Sequence, residues 1–554
     1  MTAEPAAAPT NAPGSRWGAF GHIAFTVIWT ASLVSNVGTA MFDTASGWLI
    51  TSLNADPIAV SLVQVAVSLP LFLFTLPAGA LADVIDSRRL LIVVEIAILA
   101  VSAVFALLVS LGLASSALLL GATFLLGVGG ALTSPAWGST VPLLVAKEDL
   151  DSATSANSVG FNLGRAVGPA LGGLAIAAFG IALPFWVFAL SNVGVIAALI
   201  WWRAPRKSGE SLPAERLVNA VRAGIRHSAN NVLLRATLVR VVAFFPFACS
   251  YLALLPLVAR NQMVQGPQLY GILLGAIGIG AVLGSFVLKW AKEELGPDRL
   301  VAAGSVGAAF ALVLFGFSHE PVTAICACLL AGAAWTVVLT KLYVSATVAL
   351  PDWARGRGLA VFLTLIFGAT TVGSALWGKL SALQGLPTAY FVSAACVLIG
   401  IPLSWSWKLQ TSDEADFSPP LHWRAPVPTR QFENNRGPVL ALLEYRVPVG
   451  NRAEFLAIVD ELGHARRRDG AYAWGLYENI GDEELFIETF AIDSWLELLH
   501  ARERVTHADE MLAEKVDRLL TEPPRIKFNV SSPRPHRSWR RARPTAPGPD
   551  HGRA

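Results

Sequence analysis

Charge is scarce in this chain. Only 15% of its 554 residues are Asp, Glu, Lys or Arg, against about 25% in soluble domains, so a soluble globular fold cannot account for most of it. The formal net charge of +3 is too small to suggest a nucleic-acid partner, whose binding is carried by many phosphate contacts. Cysteine is limited to Cys249, Cys326, Cys328 and Cys396, all in apolar segments, which argues against a disulfide framework. Cys326 and Cys328 are two residues apart and point in different directions on a helix, which is not a metal-ligand spacing. No small-residue cleavage site follows a short apolar core near the N-terminus, so the Ala/Pro-rich residues 1–17 read as a disordered tail. A nucleotide fingerprint is missing as well. Gly127, Gly129 and Gly130 of the run GVGG lie inside an apolar segment and make no phosphate loop, so ATP-driven chemistry has no support. No cofactor and no metal site are expected.

What is abundant is apolar sequence. Hydrophobic residues make up 54% of the chain and the mean hydropathy is +0.54. A membrane helix needs roughly 20 predominantly apolar residues. Segments that qualify begin near Ala19, Ile58, Leu90, Ala117, Leu150, Leu183, Leu234, Leu269, Leu300, Val322, Trp353 and Pro387, twelve in all. The fifth is rich in Gly and Asn and the eleventh in Gly and Thr, compositions of close-packed or pore-lining helices. Basic residues fall in alternate connections: Arg88 and Arg89; Lys147; Arg203, Arg206, Lys207, Arg216, Arg222 and Arg226; Lys292 and Arg299; Arg355 and Arg357. Arg260 is the main exception. This asymmetry places both termini of a multi-pass membrane protein in the cytoplasm. The long basic connection, residues 204–233, divides the segments into an N-terminal half, residues 18–203, and a C-terminal half, residues 234–408.

Within the fifth segment Gly160, Gly164, Gly168 and Gly172 recur every fourth residue, and Pro169 and Gly173 complete the run GRAVGPALGG. Residues four apart stack on one helix face, so the stripe lets another backbone approach closely. Between segments two and three the chain reads GALADVIDSRR, Gly79 to Arg89. Gly79, Asp83 and Arg88 resemble the loop motif of the major facilitator superfamily. Val84 stands where a basic residue is usual and Asp86 where glycine is usual, although Asp tolerates turn geometry. Gly164, Gly168, Pro169, Gly172 and Gly173 resemble the motif of that superfamily's proton-coupled antiporters. The runs SGWLITSL, PIAVSLVQVAVSLPLFLFTLPAGALAD, PDWARGRGLAVF and RRRDGAYAWGLYE are similar to its bacterial transmembrane secretion effector branch, related to the enterobactin exporter group. The similarity extends from about Trp17 to Val530.

This resemblance implies an all-α membrane fold of twelve helices in two six-helix halves, working as a secondary transporter by alternating access. It implies proton-coupled efflux of a small amphipathic molecule such as a siderophore, drug or secondary metabolite. It further implies that Gly79, Asp83, Arg88 and Arg89 form a cytoplasmic gate. Asp83 would face the N-terminus of segment eleven near Asp352 to Arg355, where a helix end favours a carboxylate, and Arg88 would pair with it or another loop carboxylate. Arg89 is as well explained as a topology determinant.

Charges inside membrane segments are functional candidates by default. These are Asp43, Glu95, Arg165 and Lys341, in segments one, three, five and ten. Asp43 is the first choice for a proton-carrying acid, with a solvated position near the periplasmic mouth as the alternative. Arg165 reads as a structural or cavity charge, and Lys341 either lines the pore or pairs with an acid. Glu95 is expected to snorkel or to join the loop cluster. Trp48, Trp137, Trp335 and Trp377 offer an apolar cavity wall, though Trp48 and Trp377 also suit an interfacial belt. Gln64, Asn157 and Asn162 are candidate polar contacts to substrate or to each other.

After a Pro- and Ser-rich linker, residues 409–436, the composition turns soluble. The pattern over residues 437–530 reads as strand, helix, strand, strand, helix, strand: a cytoplasmic ferredoxin-like α+β domain. The long last helix is expected over Trp495 to Leu520. The domain resembles dimeric α+β barrel modules, which raises the expectation of a homodimer. Arg466, Arg467 and Arg468 form either an acid- or lipid-binding patch or a solvated helix face. His464, His500 and His507 have no convincing metal spacing. Residues 531–554 read as a disordered Pro/Arg-rich tail. The rivals to transport are a membrane sensor that no longer transports and an enzymatic or ligand-sensing role for this domain.

Overall fold

The computed structural model describes residues 18–203, 231–263, 265–291, 295–350, 352–409, 436–495, 497–498 and 507–531. The two tails, most of the middle loop and nearly all of the linker expected from the sequence lie outside them. The chain divides into two compact units, Met1–Asp416 and Phe417–Ala554.

The first unit is helical. Its N-terminal set comprises α1 (Ile23–Leu53), α2 (Pro57–Val84), α3 (Ser87–Ser110), α4 (Ser116–Thr140), α5 (Leu150–Phe179) and α6 (Ala182–Trp201). The C-terminal set opens with α7, which runs through Val232–Ala248, Ser250–Leu257 and a π-helical stretch, Val258–Gln262. It continues with α8 (Pro267–Ala291), α9 (Pro297–Phe317), α10 (Pro321–Val348), α11 (Asp352–Gln384) and α12 (Leu386–Ser404). Eleven of the described helices are long and apolar enough to cross a membrane. The long helix that falls short is α5, whose glycines, asparagines and Arg165 lower its hydropathy.

The helix starts are written in the sequence. The Asp56 side chain accepts from the Ile58 N–H at 2.9 Å, with Pro57 in the first turn of α2; Asp86 accepts from the Arg89 N–H at 2.9 Å and caps α3. Asp86 thus replaces the expected glycine with an N-cap, which satisfies one of the orphan donors of the first turn. Asn231 caps α7 in the same way, accepting from the Leu234 N–H at 3.1 Å. Two of the helices end on glycines with positive φ, Gly180 after α5 at 91° and Gly385 after α11 at 87°, a conformation other residues adopt only with strain.

Within the N-terminal set α1 packs on α5 and α6, α2 on α4, and α3 on α6; the C-terminal set pairs α8 with α10, α9 with α10 and α12, and α7 with α11. The sets meet along two seams, α2 against α11 and α5 against α8. Both seams are tight toward one end of the bundle. There the Thr371 hydroxyl donates to Ser68 at 2.8 Å, and Gly173 lies against Gly271. The α8 face that meets α5 carries Gly271, Gly275 and Gly278. Its continuation toward the other end, Val282 and Phe286, is uncovered at 39% and 67% exposure, as is Val159 of α5 at 61%. That other end, which carries Arg88, Arg89, Arg203, Asp298 and Arg299, is the basic end of the bundle; the end that holds the Gly173–Gly271 contact is the far end.

The second unit holds β1 (Val439–Arg446), α13 (Arg452–Asp469), β2 (Ala473–Asn479), β3 (Asp482–Ile492), α14 (His507–Leu519) and β4 (Arg525–Val530). The strands form one antiparallel sheet in the order β2-β3-β1-β4. Val439, Ala441, Leu443 and Tyr445 alternate inward from β1 and meet Phe455 and Val459 of α13, the period-two pattern of a sheet with one covered face. The strand and helix order matches the sequence reading. Of the expected last helix, residues 495 and 497–498 and His507–Leu519 are described as helical.

Candidate functional site

Three cavities follow one another along α1. The first, about 530 Å³, lies at the basic end between α1, α4 and α5 and is lined by residues including Trp29, Ser32, Asn36, Trp137 and Asn157. The second, about 320 Å³, is enclosed by the N-terminal set alone; Ser32, Asn36 and Trp137 also line it, together with Asp43, Glu95 and Asn192. The third, about 200 Å³, lies between the two sets, with Asp43, Gln64 and Arg165 on one side and Pro256, Tyr270 and Gly278 on the other. The second and third share Asp43, Val67 and Thr123. At 1.5 Å rise per residue, the α1 positions from Phe25 to Gly47 that line these spaces cover roughly 33 Å, about the full thickness of a bilayer core.

Asp43 is the hinge of this series. It is neither at the end of α1 nor packed away: it is exposed and borders both inner cavities. Arg165 lines the third cavity with it and interacts with it electrostatically. Among the described residues the two form no direct ion pair. Arg165 stacks instead over the Phe161 ring, 5.8 Å from its centroid.

Glu95 departs from the sequence expectation. It is 6% exposed and lines the second cavity rather than reaching the basic-end surface. Its position, two turns into α3, hid this because only the packing of α3 on α4 and α6 turns it inward. Lys341 is half-buried on α10 and lines none of the three cavities.

The glycine stripe sets α5 closely against α1. Gly160, Gly164, Gly168 and Gly172 all face α1: they lie against Trp29, Asn36, Val37 with Ala40, and Met41 with Thr44. A Cβ on Gly164 would lie 3.0 Å from Asn36 Cβ. Gly173 faces the other way, toward Pro267 and Gly271 of α8. Pro169 is buried mid-helix, and its carbonyl also lies against Gly271. Helix α5 therefore has one glycine face set on α1 and one small-residue face set on the other half.

The loop motif is only partly described. Gly79 and Asp83 lie in the last turns of α2, and the Asp83 side chain and the start of α11 at Asp352 to Ala354 lie outside the described side chains. Arg88 donates from its Nε to the Leu199 carbonyl at 2.8 Å and from its Nη2 to the Ile200 carbonyl at 2.9 Å. It satisfies the orphan carbonyls at the end of α6, where a cation is also favoured by the helix dipole. Arg89 is exposed. Arg240, not singled out in the sequence, does similar work in the other set. Its Nε donates to the Trp407 carbonyl at 3.0 Å and its Nη2 to Asp298 at 2.6 Å. The signal was an arginine inside an apolar segment, VLLRATLVRVV.

Arg260, the exception to the charge asymmetry, crosses the far end. Its Nη1 donates to Thr51 at 2.9 Å and Ser52 at 3.1 Å, and its guanidinium sits 6.0 Å from the Trp48 ring centroid. Of the four tryptophans expected to line a wall, Trp137 does so. Trp48 stacks on Tyr270, Trp335 packs among Phe244, Phe245 and Tyr251, and Trp377 donates to the Pro246 carbonyl at 2.7 Å. Gln64 and Asn157 line cavities, whereas Asn162 donates to its own helix at Ser158.

A model of the transmembrane secretion effector family matches residues 14–536. The chain belongs to this family of major facilitator transporters. It is 28% identical over 407 residues to the multidrug efflux pump Tap of Mycolicibacterium fortuitum, covering 70% of this chain and 97% of that one. It is 25% identical over 378 residues to the enterobactin exporter EntS of Escherichia coli, covering 66% and 86%. It is 21% identical over 380 residues to the staphyloferrin A transporter of Staphylococcus aureus, covering 67% and 93%. Among solved structures, a mutant of the peptide transporter POT superposes with a TM-score of 0.59 at 12% identity, over 71% of this chain and 96% of that one. A bacterial homologue of the lysosomal transporter Spinster, inward-facing and unoccupied, gives 0.53 at 14% identity, over 71% and 97%. These likenesses establish the transporter fold.

In the second unit, Glu488 is fully buried. Tyr445 donates to its Oε2 at 2.6 Å and Trp474 to its Oε1 at 2.9 Å, and Arg466 lies 3.5 Å away. Arg467 sits over the Trp474 ring at 5.1 Å. Two of the three arginines expected to form a patch are thus engaged with the domain itself. His464 is exposed on α13; His500 and the His507 side chain lie outside the described residues.

Proposed function

We propose that the protein is a proton-coupled exporter of a small amphipathic molecule, working by alternating access in the bacterial inner membrane. The observation that carries this reading is the series of cavities along α1 meeting at Asp43. It offers a path from the open basic end to the space between the halves, with one acid on both sides of the last partition. Tap and EntS, an efflux pump and an exporter by name, support the outward direction.

In this reading α5 crosses the membrane with the other eleven long helices, giving twelve in two sets of six. The basic end faces the cytoplasm, as the distribution of Lys and Arg favours, and both termini lie there. The arrangement is then inward-open. Asp43 carries the proton, with Arg165 as the charge that answers its ionisation. The buried hydroxyls of Ser32, Ser46 and Thr123, which line the cavities and have no hydrogen-bond partner among the described residues, are free to meet water or substrate. Gly79, Asp83, Arg88 and Arg89 serve the basic-end gate, and Gly164, Gly168, Pro169, Gly172 and Gly173 let α5 move between α1 and α8. Lys341 is a charge of the C-terminal half held in reserve for the other conformations. The second unit is a ferredoxin-like domain with a regulatory or dimerising role rather than a catalytic one.

The test is flux in proteoliposomes under an imposed pH gradient, with dyes, antibiotics and siderophores as probes. Movement of any probe that collapses when the gradient is collapsed supports the reading. Gradient-independent movement counts against proton coupling, and no movement of any probe by folded protein counts against export of this class.

A further inference from the structure

The second cavity is unusual in its charge. Two carboxylates, Asp43 and Glu95, line it, and no Lys, Arg or His does. Glu95 is 6% exposed and forms no hydrogen bond or ion pair among the described residues. A buried carboxylate that meets no counter-charge is strongly disfavoured as an anion, so a cation entering this cavity supplies the charge that lets Glu95 ionise. No basic side chain comes from any of the helices that line it. Helix α1 gives Asn36 and Asp43; α2 gives Val67 and Leu71; α4 gives Thr123 and Trp137; α6 gives Phe188 and Asn192. The nearest answering cation is Arg165 of α5, and it acts on Asp43 from the neighbouring cavity. Nothing comparable answers Glu95 among the described residues.

We propose that this cavity binds a lipophilic organic cation, its charge set between Glu95 and Asp43 and its apolar body against Trp137, Phe42 and Phe188. A volume of about 320 Å³ holds the head of a drug-sized molecule. Aromatic faces stabilise a desolvated cation, whereas an anion would meet two carboxylates in a cavity without a compensating base. The Asn36 amide, which lines the same cavity, offers an orienting hydrogen bond. This inference rests on the transporter reading only for its purpose; the site itself is defined by the cavity.

The test compares two probes of equal size and opposite charge, tetraphenylphosphonium and tetraphenylborate, by equilibrium binding to the full chain in detergent. The wild-type protein is expected to bind the phosphonium at least tenfold more tightly than the borate. Glu95→Gln should weaken phosphonium binding about tenfold, and Glu95→Asp should keep most of it, with unfolding midpoints confirming that both variants fold. Trp137→Leu, which leaves both acids in place, should weaken the phosphonium several-fold and leave the borate unchanged. Equal binding of the two probes, binding of neither, or phosphonium affinity unchanged in both Glu95→Gln and Trp137→Leu overturns the proposal. Binding needs no gradient. Loss of pH-driven flux with phosphonium selectivity intact therefore counts against the exporter reading alone, and flux without selectivity counts against the cation site alone.

Discussion

Gly173 of α5 and Gly271 of α8 face each other across the seam between the two helix sets, and a Cβ on either would lie 3.0 Å from the Cα of the other. The contact leaves no room for a side chain while the far end is closed. Gly173→Val should therefore destabilise this conformation by about 1–3 kcal/mol, the usual cost of overpacking, and favour separation of the halves at that end. Thermal unfolding and the accessibility of the third cavity to reagents from the far side would register it. Gly121→Ala, at a position with nothing within 4 Å, is the neutral control; equal effects from both would remove the seam from the explanation.

Asp43 borders both inner cavities, so neutralising it should uncouple transport from the proton without disturbing the fold. Asp43→Asn is expected to lower gradient-driven flux at least tenfold while expression and the unfolding midpoint stay near wild type. Full flux in the variant would exclude Asp43 from coupling.

Arg260 ties α7 to the end of α1 through Thr51 and Ser52. Arg260→Ala should weaken the far-end closure and speed labelling of a Ser46→Cys reporter by a membrane-impermeant thiol reagent several-fold. Labelling at the wild-type rate would mean that the glycine seam alone holds the closure.

Arg88 holds the last carbonyls of α6, and each such charge-assisted bond contributes about 1.5–3 kcal/mol before discounting for its partial exposure. Arg88→Ala should lower the unfolding midpoint, and Arg88→Lys should recover only part of it, since an ammonium lacks the fork that reaches Leu199 and Ile200 together. Complete recovery by lysine would reduce Arg88 to a topology charge.

Tyr445 gives a pH dependence of known sign. Burial, reinforced by the Glu488 charge beside it, pushes the phenol well above its ordinary value of 10.0. A group raised in the folded state contributes fully below its unfolded pKa and loses that contribution as pH climbs above it. Hydrogen–deuterium exchange at β1 in the full chain should accordingly accelerate above about pH 10. Tyr445→Phe should flatten that slope while costing about 1–3 kcal/mol at neutral pH, because Glu488 loses a buried donor. A persistent slope in the variant would assign it elsewhere.

The features legible in the sequence were those encoded locally. A four-residue glycine period specifies a helix face whatever that face meets, and Gly160 to Gly172 do form one face against α1. Asp86 could be read as turn-tolerant because its cap spans only the four consecutive residues from Asp86 to Arg89. The strand–helix order of the second unit followed from alternation and period alone. What escaped was everything decided by packing between distant segments. Glu95 looked like a residue near a membrane surface until α4 and α6 closed over it, and Arg260 looked like a topological anomaly until α1 came within reach. Trp335 and Trp377 looked like a cavity wall, yet both fill space within the C-terminal set. Side-chain chemistry names candidates, but only tertiary proximity assigns partners.

The polar, glycine-rich character of α5 has a consequence for biogenesis. In the twelve-helix arrangement proposed above, a segment whose stability in the bilayer depends on lying between α1 and α8 gains little from lipid on its own. A nascent chain that has emerged only as far as α5 lacks the α8 surface that completes its setting. Retention of α5 in the membrane is thereby tied to synthesis of the second half, and the two halves become interdependent in assembly before they are ever interdependent in transport.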